Sequence, residues 1–523
     1  MHFRTKVRNA TLIPSGVRNF DEVRVTNTDA SHLSLAILCH TTKCSQALRF
    51  EKNSNMSLSV TIYFVPLQAN NKYTTNMKHF ALTVLSLFAL LPVVAQQQME
   101  LTATEVAKRM MPGWNLGNTM EAGNGESALF TNNPGLSAET YWQDTKTTQA
   151  VVDYVKAQGF RSIRIPCAWV MGHISNAETY EIDPAWMARV KQVVDYSLNA
   201  GLYVVINQHW DGGWLENHIQ ETNLLSKNKT ILKTIWQQIA TAFRDYDERL
   251  LFAGLNEPNA ETQEATNNLV EYEQEFINVV RQTGGNNEQR ILIIQGPSTS
   301  IDHTCNYMKT LPTDPTADRL MIEVHYYAPW QFWGMEKDES WGKVFYYWGS
   351  GNHVNGSAHN ATWGEESYVE EQLAKIKKQF GDKGIPVYIG EFGANWRTMP
   401  AGENQAKHNA SIQTHYRVVL QKAMEKGMVP VVWDTNYRGM PSMTVINRKN
   451  LTIFNSYMLN GIHEAMEAVN IPISAIFSLE TDKTHASAKV YDLSGRLVTE
   501  NFVGKPLSKG IYIQNGRKQV INK

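Results

Sequence analysis

The sequence predicts an α/β fold in which eight parallel strands alternate with helices. Between residue 105 and about residue 468, short apolar runs recur eight times, and longer amphipathic stretches separate them. The runs are rich in β-branched residues and show no polar alternation, which is typical of strands buried on both faces, as in a parallel sheet. Strand and helix alternating eight times over about 360 residues favours a closed (β/α)8 TIM barrel with long loops.

The eight predicted strands lie, in chain order, at 113–116, 162–165, 203–206, 251–255, 291–294, 321–324, 387–389 and 429–433. Apolar residues at helical spacing predict intervening helices, among them 148–158, 186–198 and 368–380. A doubly wound open sheet is the structural alternative. It is disfavoured because no phosphate-binding turn of the GxGxxG type follows an early strand.

The composition is that of a globular protein with ample material for a core. Hydrophobic residues make up 42% of the 523 residues, and 49 basic side chains balance 50 acidic ones to a formal net charge of −1. This balance gives no electrostatic reason to expect nucleic acid or a membrane surface as a partner. The four cysteines, Cys39, Cys44, Cys167 and Cys305, show no metal-binding spacing and suggest no disulfide framework, although pairing of the last two stays open.

The residues before the barrel contain a targeting signal. Met77 and Lys78 begin a segment whose apolar run of about 15 residues ends at Ala95 and is followed by glutamines. A positive start, an apolar stretch and a small residue before a polar flank are the parts of a secretory signal peptide, whereas a membrane-spanning helix needs roughly 20 residues. We therefore expect a signal peptide at 77–95. Residues 1–76 show no clear period, and we expect an upstream or disordered segment there, with Met77 as the true initiator.

After a barrel domain at 99–468, the residues 470–523 predict a short β-rich segment. Residues 488–498 have the pattern of two strands around a Ser-Gly turn. Residues 510–520 repeat the form around Asn-Gly, a preferred dipeptide of tight hairpins. The sequence thus predicts a barrel with a small β-rich C-terminal appendage.

Polar or aromatic residues follow the predicted strands, at the C-terminal ends where a barrel places its active site. They are Asn115, Asn118, Arg164, His209, Asn256, Glu257, Gln295, His325, Tyr327, Glu391 and Trp433. Each alone is weak, because Asn-Glu-Pro is more often a turn and a histidine after an apolar run is usually a core residue. The pair of glutamates decides the interpretation, since Glu257 ends the fourth strand and Glu391 the seventh, on opposite walls of one cleft.

Two carboxylates that face one cleft indicate acid–base and nucleophilic chemistry. No Asp/His cluster in the sequence predicts a metal site, and no Ser-His-Asp order falls on the strand ends. Paired carboxylates of this kind are the equipment of glycoside hydrolysis. We therefore predict that Glu257 and Glu391 are catalytic, and we expect neither a metal nor a cofactor.

Residues 105–460 resemble glycoside hydrolase family 5. The matching motifs occur in order along the barrel, namely GWNLGNT at 113–119, GFRSIRIP at 159–166, NQHWDGGW at 207–214, LNEP at 255–258, HYY at 325–327, GEFG at 390–393 and VVWD at 431–434. The resemblance implies a retaining, double-displacement mechanism with Glu257 as acid/base and Glu391 as nucleophile. Glu257 must then hold a proton near neutral pH, which requires surroundings that raise its pKa, while Glu391 must be ionised.

The resemblance also implies residues that support the glutamate pair. Arg164 and Tyr327 can donate hydrogen bonds to Glu391 and so favour its charged form. Asn256 resembles the residue that hydrogen-bonds the sugar 2-OH, a contact that strengthens in the transition state.

Three further residues resemble parts of a sugar-binding cleft. His209 and His325 resemble histidines that position the sugar and the carboxylates, with core histidines as the alternative. Trp433 matches the aromatic floor beneath the sugar, with a purely structural tryptophan as the alternative. Other tryptophans can either line subsites or pin loops, and the sequence does not separate the two roles for Trp214, Trp330, Trp333, Trp341, Trp348, Trp363 and Trp396.

We expect an endo-acting enzyme that hydrolyses internal β-1,4-glucosidic bonds of cellulose-like polysaccharides. An endo-β-1,4-mannanase, a xyloglucanase or a lichenase on the same site is the alternative, and a non-catalytic glycan-binding barrel is a more distant one. The expected partner is a β-glucan polysaccharide or oligosaccharide. We expect a monomer that binds no nucleic acid and, once the signal peptide is cleaved, no membrane.

The C-terminal segment 470–523 resembles the sorting domain that Gram-negative bacteria use in type IX secretion. A carbohydrate-binding tail is the alternative, disfavoured because the segment contains no Trp. Together with the signal peptide, the segment predicts export through the periplasm to the cell surface or the medium. The secretion machinery is then a second expected partner.

Overall fold

The computed structural model describes residues 99–473 without interruption. It also describes strand segments nearer the two ends of the chain, at 22–29, 32–38, 46–52, 58–64, 490–492, 497–499, 510–514 and 517–521. The predicted signal peptide, Cys39 and Cys44 lie outside the described residues. The chain divides into two compact units, Met1–Ala95 and Gln96–Lys523, and each is considered by itself.

Eight parallel strands of the second unit close into a barrel. They are β1 (Gly113–Asn115), β2 (Ser162–Ile165), β3 (Tyr203–Asn207), β4 (Leu250–Ala253), β5 (Leu292–Gln295), β6 (Leu320–Tyr326), β7 (Val387–Phe392) and β8 (Val429–Val432). Each strand pairs with its neighbours in chain order, and β8 pairs with β1, so the sheet has no open edge. The predicted (β/α)8 TIM barrel is confirmed.

Helices connect the strands and surround the barrel. They are α1 (Ala103–Met110), α2 (Gln149–Ala157), α3 (Pro184–Asn199), α4 (Leu225–Ala242), α5 (Gln263–Gln282), α6 (Ile301–Tyr307), α7 (Trp330–Trp333), α8 (Glu366–Gln379), α9 (Gln405–Glu425) and α10 (Ser456–Ala468). The helices expected at 148–158, 186–198 and 368–380 correspond to α2, α3 and α8. Within the described residues, none of the helices combines the length and the apolar character that a membrane crossing needs.

The burial of these elements explains their sequence patterns. Every residue of β2, β4, β5 and β8 is buried, which is why β4 and β8 are continuous apolar runs. In β2 the buried Arg164 interrupts the apolar pattern, because its side chain belongs to the site inside the barrel mouth. Each helix buries one face, as α4 does with Ile231, Ile235 and Ile239. Side-chain caps set several helix starts, and Thr148 accepts the N–H of Val151 to begin α2.

Shorter elements lie in the loops. Small antiparallel pairs join Ile174–Asn176 to Glu181–Ile182 and Ile446–Asn447 to Thr452–Ile453. Short 3-10 turns occur at Gly125–Ala128, Gly135–Thr140, Asp211–Gly213, Glu216–His218, Thr222–Leu224, Gly285–Glu288, Pro297–Thr299, Ser350–Asn352 and Gly381–Lys383.

Two antiparallel sheets lie outside the barrel. One is in the first unit and consists of Glu22–Asp29, His32–Leu38, Gln46–Lys52 and Leu58–Phe64. No strand period is expected in 1–76, so this sheet is a difference from the prediction. The alternation of Leu33, Leu35 and Ile37 is the pattern that would have predicted it. The other sheet comprises Val490–Asp492, Leu497–Thr499, Gly510–Gln514 and Arg517–Ile521, and its pairing follows the two predicted hairpins.

The strands β6 and β7 are longer than predicted, and their ends shape the mouth of the barrel. His325 lies within β6 and Glu391 lies within β7, rather than after the strands. A register shift beyond Val324 places His325 opposite Glu391 on the neighbouring strand. The fold therefore brings these two side chains together directly, without depending on a loop.

Candidate active site

Glu257 and Glu391 face each other across the mouth of the barrel. One oxygen of each carboxylate and a ring nitrogen of His325 all lie within 4.8 Å of one another. Carboxyl groups about 5–5.5 Å apart are typical of retaining glycosidases, whereas inverting enzymes leave roughly 6.5–9.5 Å for a water molecule. Both glutamates line a cleft of about 620 Å³. The spacing fits direct attack by one carboxylate better than attack by an interposed water.

Glu391 is held by one hydrogen-bond donor on each oxygen. Arg164 Nη1 donates to Oε1 at 2.8 Å, and the hydroxyl of Tyr327 donates to Oε2 at 3.0 Å. The Glu391 side chain is only 7% exposed. Donors of this kind fix the orientation of a carboxylate and favour its charged form. The structure thus places Arg164 and Tyr327 where the sequence predicts them.

Arg164, in β2, is the centre of a buried network. Its guanidinium donates to Asn115 Oδ1 at 3.1 Å and to Asn256 Oδ1 at 2.7 Å, and it lies 3.1 Å from Glu323 Oε1. A fully buried cation is costly unless it is paired and hydrogen-bonded, and these acceptors meet that requirement. Because the guanidinium is planar and rigid, it fixes the relative positions of several side chains at once.

A chain of hydrogen-bonded side chains runs from the barrel interior to Glu257. Gln295 Nε2 donates to Glu323 Oε2 at 2.6 Å, Glu323 Oε1 lies 3.2 Å from His325 Nε2, and His325 Nδ1 lies 2.7 Å from Glu257 Oε1. His325 thus has a carboxylate on each ring nitrogen. The pKa of His325 is reduced by burial, but the charge of Glu391 and the hydrogen bonds to the other two carboxylates raise it to about 10. His325 is therefore an imidazolium at neutral pH.

In the free site, the pKa of Glu257 is shifted in the direction opposite to the one that we expected. Burial raises the pKa of Glu257, but the hydrogen bond and charge of His325 outweigh it, so the pKa lies below its ordinary value. Burial raises the pKa of Glu391 above its ordinary value, and the charges of His325 and Arg164 only partly oppose this. We expected the pKa of Glu257 to be raised, and in the free site it is lowered. The imidazolium 2.7 Å from Glu257 accounts for the difference.

The cluster of Glu257, His325 and Glu391 also has the residue types of a metal site. A histidine binds a metal through the lone pair of a deprotonated nitrogen. Both nitrogens of His325 already make close contacts with carboxylates, Nδ1 with Glu257 and Nε2 with Glu323. The chemistry of this donor set fits a proton-sharing group better than a cation site.

Glu323 explains why a glycine precedes Glu391. A Cβ atom at Gly390 would lie 1.9 Å from Glu323 Oε1, which is an impossible contact. The glycine of the GEFG motif therefore makes room for the carboxylate that pairs with both Arg164 and His325. Sequence reasoning missed Glu323, although a charged residue inside an apolar strand was a visible signal.

His209 and Trp433 form the wall of the cleft beside the glutamates. Their rings stack with centroids 5.8 Å apart and planes within 10°, and both residues line the cleft. Burial and the charges of Arg164 and His325 hold the pKa of His209 well below its ordinary value, so this ring is neutral. A Cβ at Gly117 would lie 2.7 Å from the carbonyl oxygen of Asp434 and close to the Trp433 ring.

The structure separates the other tryptophans into groups. Trp348 is buried and donates to Gly364, and Trp396 donates to Asn409, so both pin loops. Trp214 is also buried. Trp333 lines the cleft and packs 4.4 Å from Tyr327, measured between ring centroids. Among these seven tryptophans, Trp330, Trp341 and Trp363 have exposed faces available to a ligand, and Trp142, which is not one of the seven, is exposed as well.

Two other residues that follow predicted strands have structural roles rather than contacts with the two glutamates. Asn118 adopts a positive φ of 59° and its backbone N–H donates to Glu121, so it belongs to a turn. Gln295 holds Glu323. Glu216 also contacts the site, since its carboxylate Oε2 accepts Asn256 Nδ2 at 3.3 Å. No pattern in the sequence indicates this contact, because 40 residues of chain separate the two side chains.

A (β/α)8 barrel with two carboxyl groups at this spacing in its mouth defines a glycoside hydrolase. Residues 122–439 match the model of the family Cellulase (glycosyl hydrolase family 5). The chain belongs to this family, and the predicted enzyme class, a glycoside hydrolase of the cellulase type, is confirmed.

Similar proteins cover most of the described barrel. Endoglucanase A of Paenibacillus barcinonensis is 34% identical over 395 residues, which are 71% of this chain and 92% of that protein. A xyloglucan-specific endo-beta-1,4-glucanase of Bacteroides ovatus is 35% identical over 350 residues, 65% of this chain and 66% of the relative. Among solved structures, a family 5 xyloglucan-specific beta-1,4-glucanase from a ruminal metagenomic library, in complex with XXLG, is 44% identical with a TM-score of 0.64. The match covers 70% of this chain and 97% of that one.

Proposed function

We propose that the chain is an endo-acting β-1,4-glucanase that cleaves internal bonds with retention, using Glu391 as nucleophile and Glu257 as acid/base. The observation that carries the proposal is the spacing of the two carboxylates, within 4.8 Å, on opposite walls of one cleft. The names of the relatives support the endo-acting glucanase activity. We further propose that the enzyme acts as a monomer.

In the first step, a Glu391 oxygen attacks the anomeric carbon while the bond from that carbon to the glycosidic oxygen breaks. Glu257 gives its proton to the departing oxygen. Arg164 and Tyr327 keep the attacking carboxylate in place, and Asn256 contacts the sugar 2-OH. Trp433 provides the apolar face beneath the ring.

In the second step, a water molecule replaces the departed chain beside Glu257. Glu257 takes a proton from this water, whose oxygen attacks the anomeric carbon and releases Glu391 as a carboxylate. Two inversions at one carbon give net retention. The roles of acid and base are thus performed in turn by the same side chain.

Glu257 does not hold a proton in the free site, and we infer that substrate binding supplies it. The Glu257 side chain is 41% exposed, so a bound glucan removes water from it and disfavours its charged form. His325 carries a proton 2.7 Å away and can pass it along that hydrogen bond. We therefore propose that glucan binding transfers a proton to Glu257, while the donors on Glu391 keep that carboxylate ionised.

Xyloglucan is the second candidate substrate. It is favoured because relatives at 35% and 44% identity carry that specificity in their names. Release of reducing ends from carboxymethylcellulose, xyloglucan, lichenan and mannan, together with the fall in viscosity, tests both candidates. We expect a rapid viscosity fall with β-1,4-glucan or xyloglucan. Preference for mannan, or slow release of single sugars without a viscosity fall, would reject the proposal.

Export is also part of the proposal. The pattern at 77–95 supports a cleaved signal peptide, and the hairpins of 488–523 support a type IX sorting segment that delivers the enzyme to the cell surface or the medium. Deletion of 488–523 should trap active enzyme in the periplasm, and N-terminal sequencing of exported protein should begin near Gln96. Normal surface export of the truncated protein would defeat the sorting role.

A further inference from the structure

Glu216 holds the segment that carries Glu257 at two points. It lies in the 3-10 turn Glu216–His218, in the loop after β3. Its carboxylate Oε2 accepts Asn256 Nδ2 at 3.3 Å, and its backbone carbonyl accepts the N–H of Asn259 at 3.0 Å. These two contacts lie on either side of Glu257 in the sequence. One residue therefore ties the loop after β3 to the end of β4.

The loop that presents Glu216 is itself firmly anchored. The buried carboxylate of Asp211 accepts three backbone N–H groups, from Trp169, Val170 and Met171, at 2.8–3.0 Å. Leu215, directly before Glu216, is fully buried. A carboxyl group on an anchored loop can hold its partner in one orientation, whereas a group on a mobile loop cannot.

The amide of Asn256 has only one orientation that satisfies both of its neighbours. Its oxygen accepts Arg164 Nη2 at 2.7 Å, and its nitrogen donates to Glu216 at 3.3 Å. Flipping the amide would place an N–H against the guanidinium and an oxygen against the carboxyl group. Since the nitrogen carries two hydrogens and Glu216 takes one, the other is left for a substrate hydroxyl.

We propose that Glu216 is a positioning residue that fixes the Asn256 amide for its contact with the sugar at the bond being cleaved. This inference rests on the proposed function, because it assigns a role to Glu216 in that same reaction. Glu216 acts through Asn256 and does not itself touch the reacting atoms.

The charge state of Glu216 supports this role. Burial, together with the charge of Glu257, raises the pKa of Glu216 to about 8. At neutral pH its carboxyl group is therefore mostly protonated, and it accepts the hydrogen bond from Asn256 without adding another negative charge. The site already contains the carboxylates of Glu257, Glu323 and Glu391, so a further charge would oppose ionisation of the nucleophile.

The test is a double-mutant cycle on the full chain, measured with a β-glucan oligosaccharide. Glu216→Ala is expected to lower kcat about tenfold with little change in KM, because the 2-OH contact strengthens in the transition state. Asn256→Ala is expected to lower kcat about 100-fold. If Glu216 acts through Asn256, adding E216A to N256A should change kcat by less than about twofold.

Two further variants separate positioning from charge and from folding. Glu216→Gln keeps an oxygen that accepts from Asn256, so it should recover most of the kcat that E216A loses. Glu221→Ala, which removes a carboxyl group from the same loop, is the matched control and should leave kcat unchanged. The melting temperatures of all variants show whether any loss reflects unfolding.

Two results would overturn the inference. They are multiplication of the E216A and N256A effects, and an E216Q variant as impaired as E216A. Failure of the proposed function is distinguishable, because it appears as wild-type enzyme without activity on any β-glucan.

Discussion

Glu257 and Glu391 are the same residue type on opposite walls of one cleft, but their surroundings differ. The Glu391 side chain is 7% exposed, and Arg164 and Tyr327 each donate to one of its oxygens. The Glu257 side chain is 41% exposed, and its close partner is His325. A nucleophile has to be held at one distance from one carbon, whereas an acid/base has to reach first a departing oxygen and then a water.

The difference shows that donors on both oxygens fix the Glu391 side chain, whereas the Glu257 side chain has one close partner and stays partly open to solvent. Glu391 lies in the strand β7 and is fixed by Arg164 from β2 and by Tyr327, the residue after β6. Glu257 follows the end of β4, and His325 holds a proton within hydrogen-bond distance of it. Changes on the Glu391 wall should therefore damage the reaction with all substrates. Changes around Glu257 should depend on the leaving group and on pH.

The largest effect is expected for Glu391→Gln. The substitution is nearly isosteric but removes the nucleophile, so kcat should fall by about 10⁴-fold or more on every substrate, while oligosaccharide binding persists. Reducing-end release and isothermal titration with a cello-oligosaccharide measure the two properties. Near-normal turnover would contradict the assignment, and loss of binding together with a low melting temperature would point to misfolding.

Glu257→Ala should have an effect that depends on the leaving group. On polysaccharide, kcat should fall about 10³-fold, because the glycosidic oxygen departs without a proton. On an aryl glycoside with an acidic phenol, the first step needs no proton, so the loss of the first-step rate should be far smaller. Pre-steady-state release of the phenol measures this rate. Equal losses on both substrates would show that Glu257 is not the acid.

His325→Gln should move the pH profile in a defined direction. The positive charge of His325 favours the ionised forms of both glutamates, so its removal raises the pKa of Glu391. The acid limb of kcat/KM should therefore shift to higher pH, by about one unit or more, which is about a tenfold loss below the limb. A shift to lower pH, or none, would mean that His325 is neutral in the free enzyme.

Tyr327→Phe should have an effect no larger than that of His325→Gln. It removes the donor on Glu391 Oε2 but leaves Arg164 on Oε1, so kcat should fall only about tenfold. The loss should be equal on polysaccharide and on aryl glycosides, unlike that of E257A. Tyr154→Phe, in α2, is a control with the same chemical change outside the site. A loss that vanishes on aryl glycosides would indicate that Tyr327 acts on the acid/base Glu257 rather than on the nucleophile Glu391.

Much of the fold was predictable because each buried strand is a continuous apolar run with a polar residue at its end. The same pattern located Arg164, Glu257, His325 and Glu391, and the structure brings their side chains together. Strand lengths were less predictable, since Glu391 continues β7 instead of following it.

The remaining parts of the site depend on contacts between distant residues. Glu323 pairs with Arg164 across the barrel interior, and Glu216 reaches Asn256 from another loop. No spacing in the sequence predicts these contacts between side chains. The pKa order of the two glutamates also depended on the distance from His325 to Glu257, which only the folded structure gives.

The central claim is that Glu391 is the nucleophile and Glu257 the acid/base of a retaining reaction. A 2-deoxy-2-fluoro-cellobioside with a good leaving group tests it most directly. The fluorine destabilises the oxocarbenium-like transition state and removes the 2-OH contact, so both steps slow, and the good leaving group restores only the first, so that the glycosyl-enzyme accumulates. Mass spectrometry of the digested protein should find one fluoro-cellobiosyl group on the peptide that contains Glu391. A label on Glu257, or none while the enzyme remains active on β-glucan with inversion, would contradict the account.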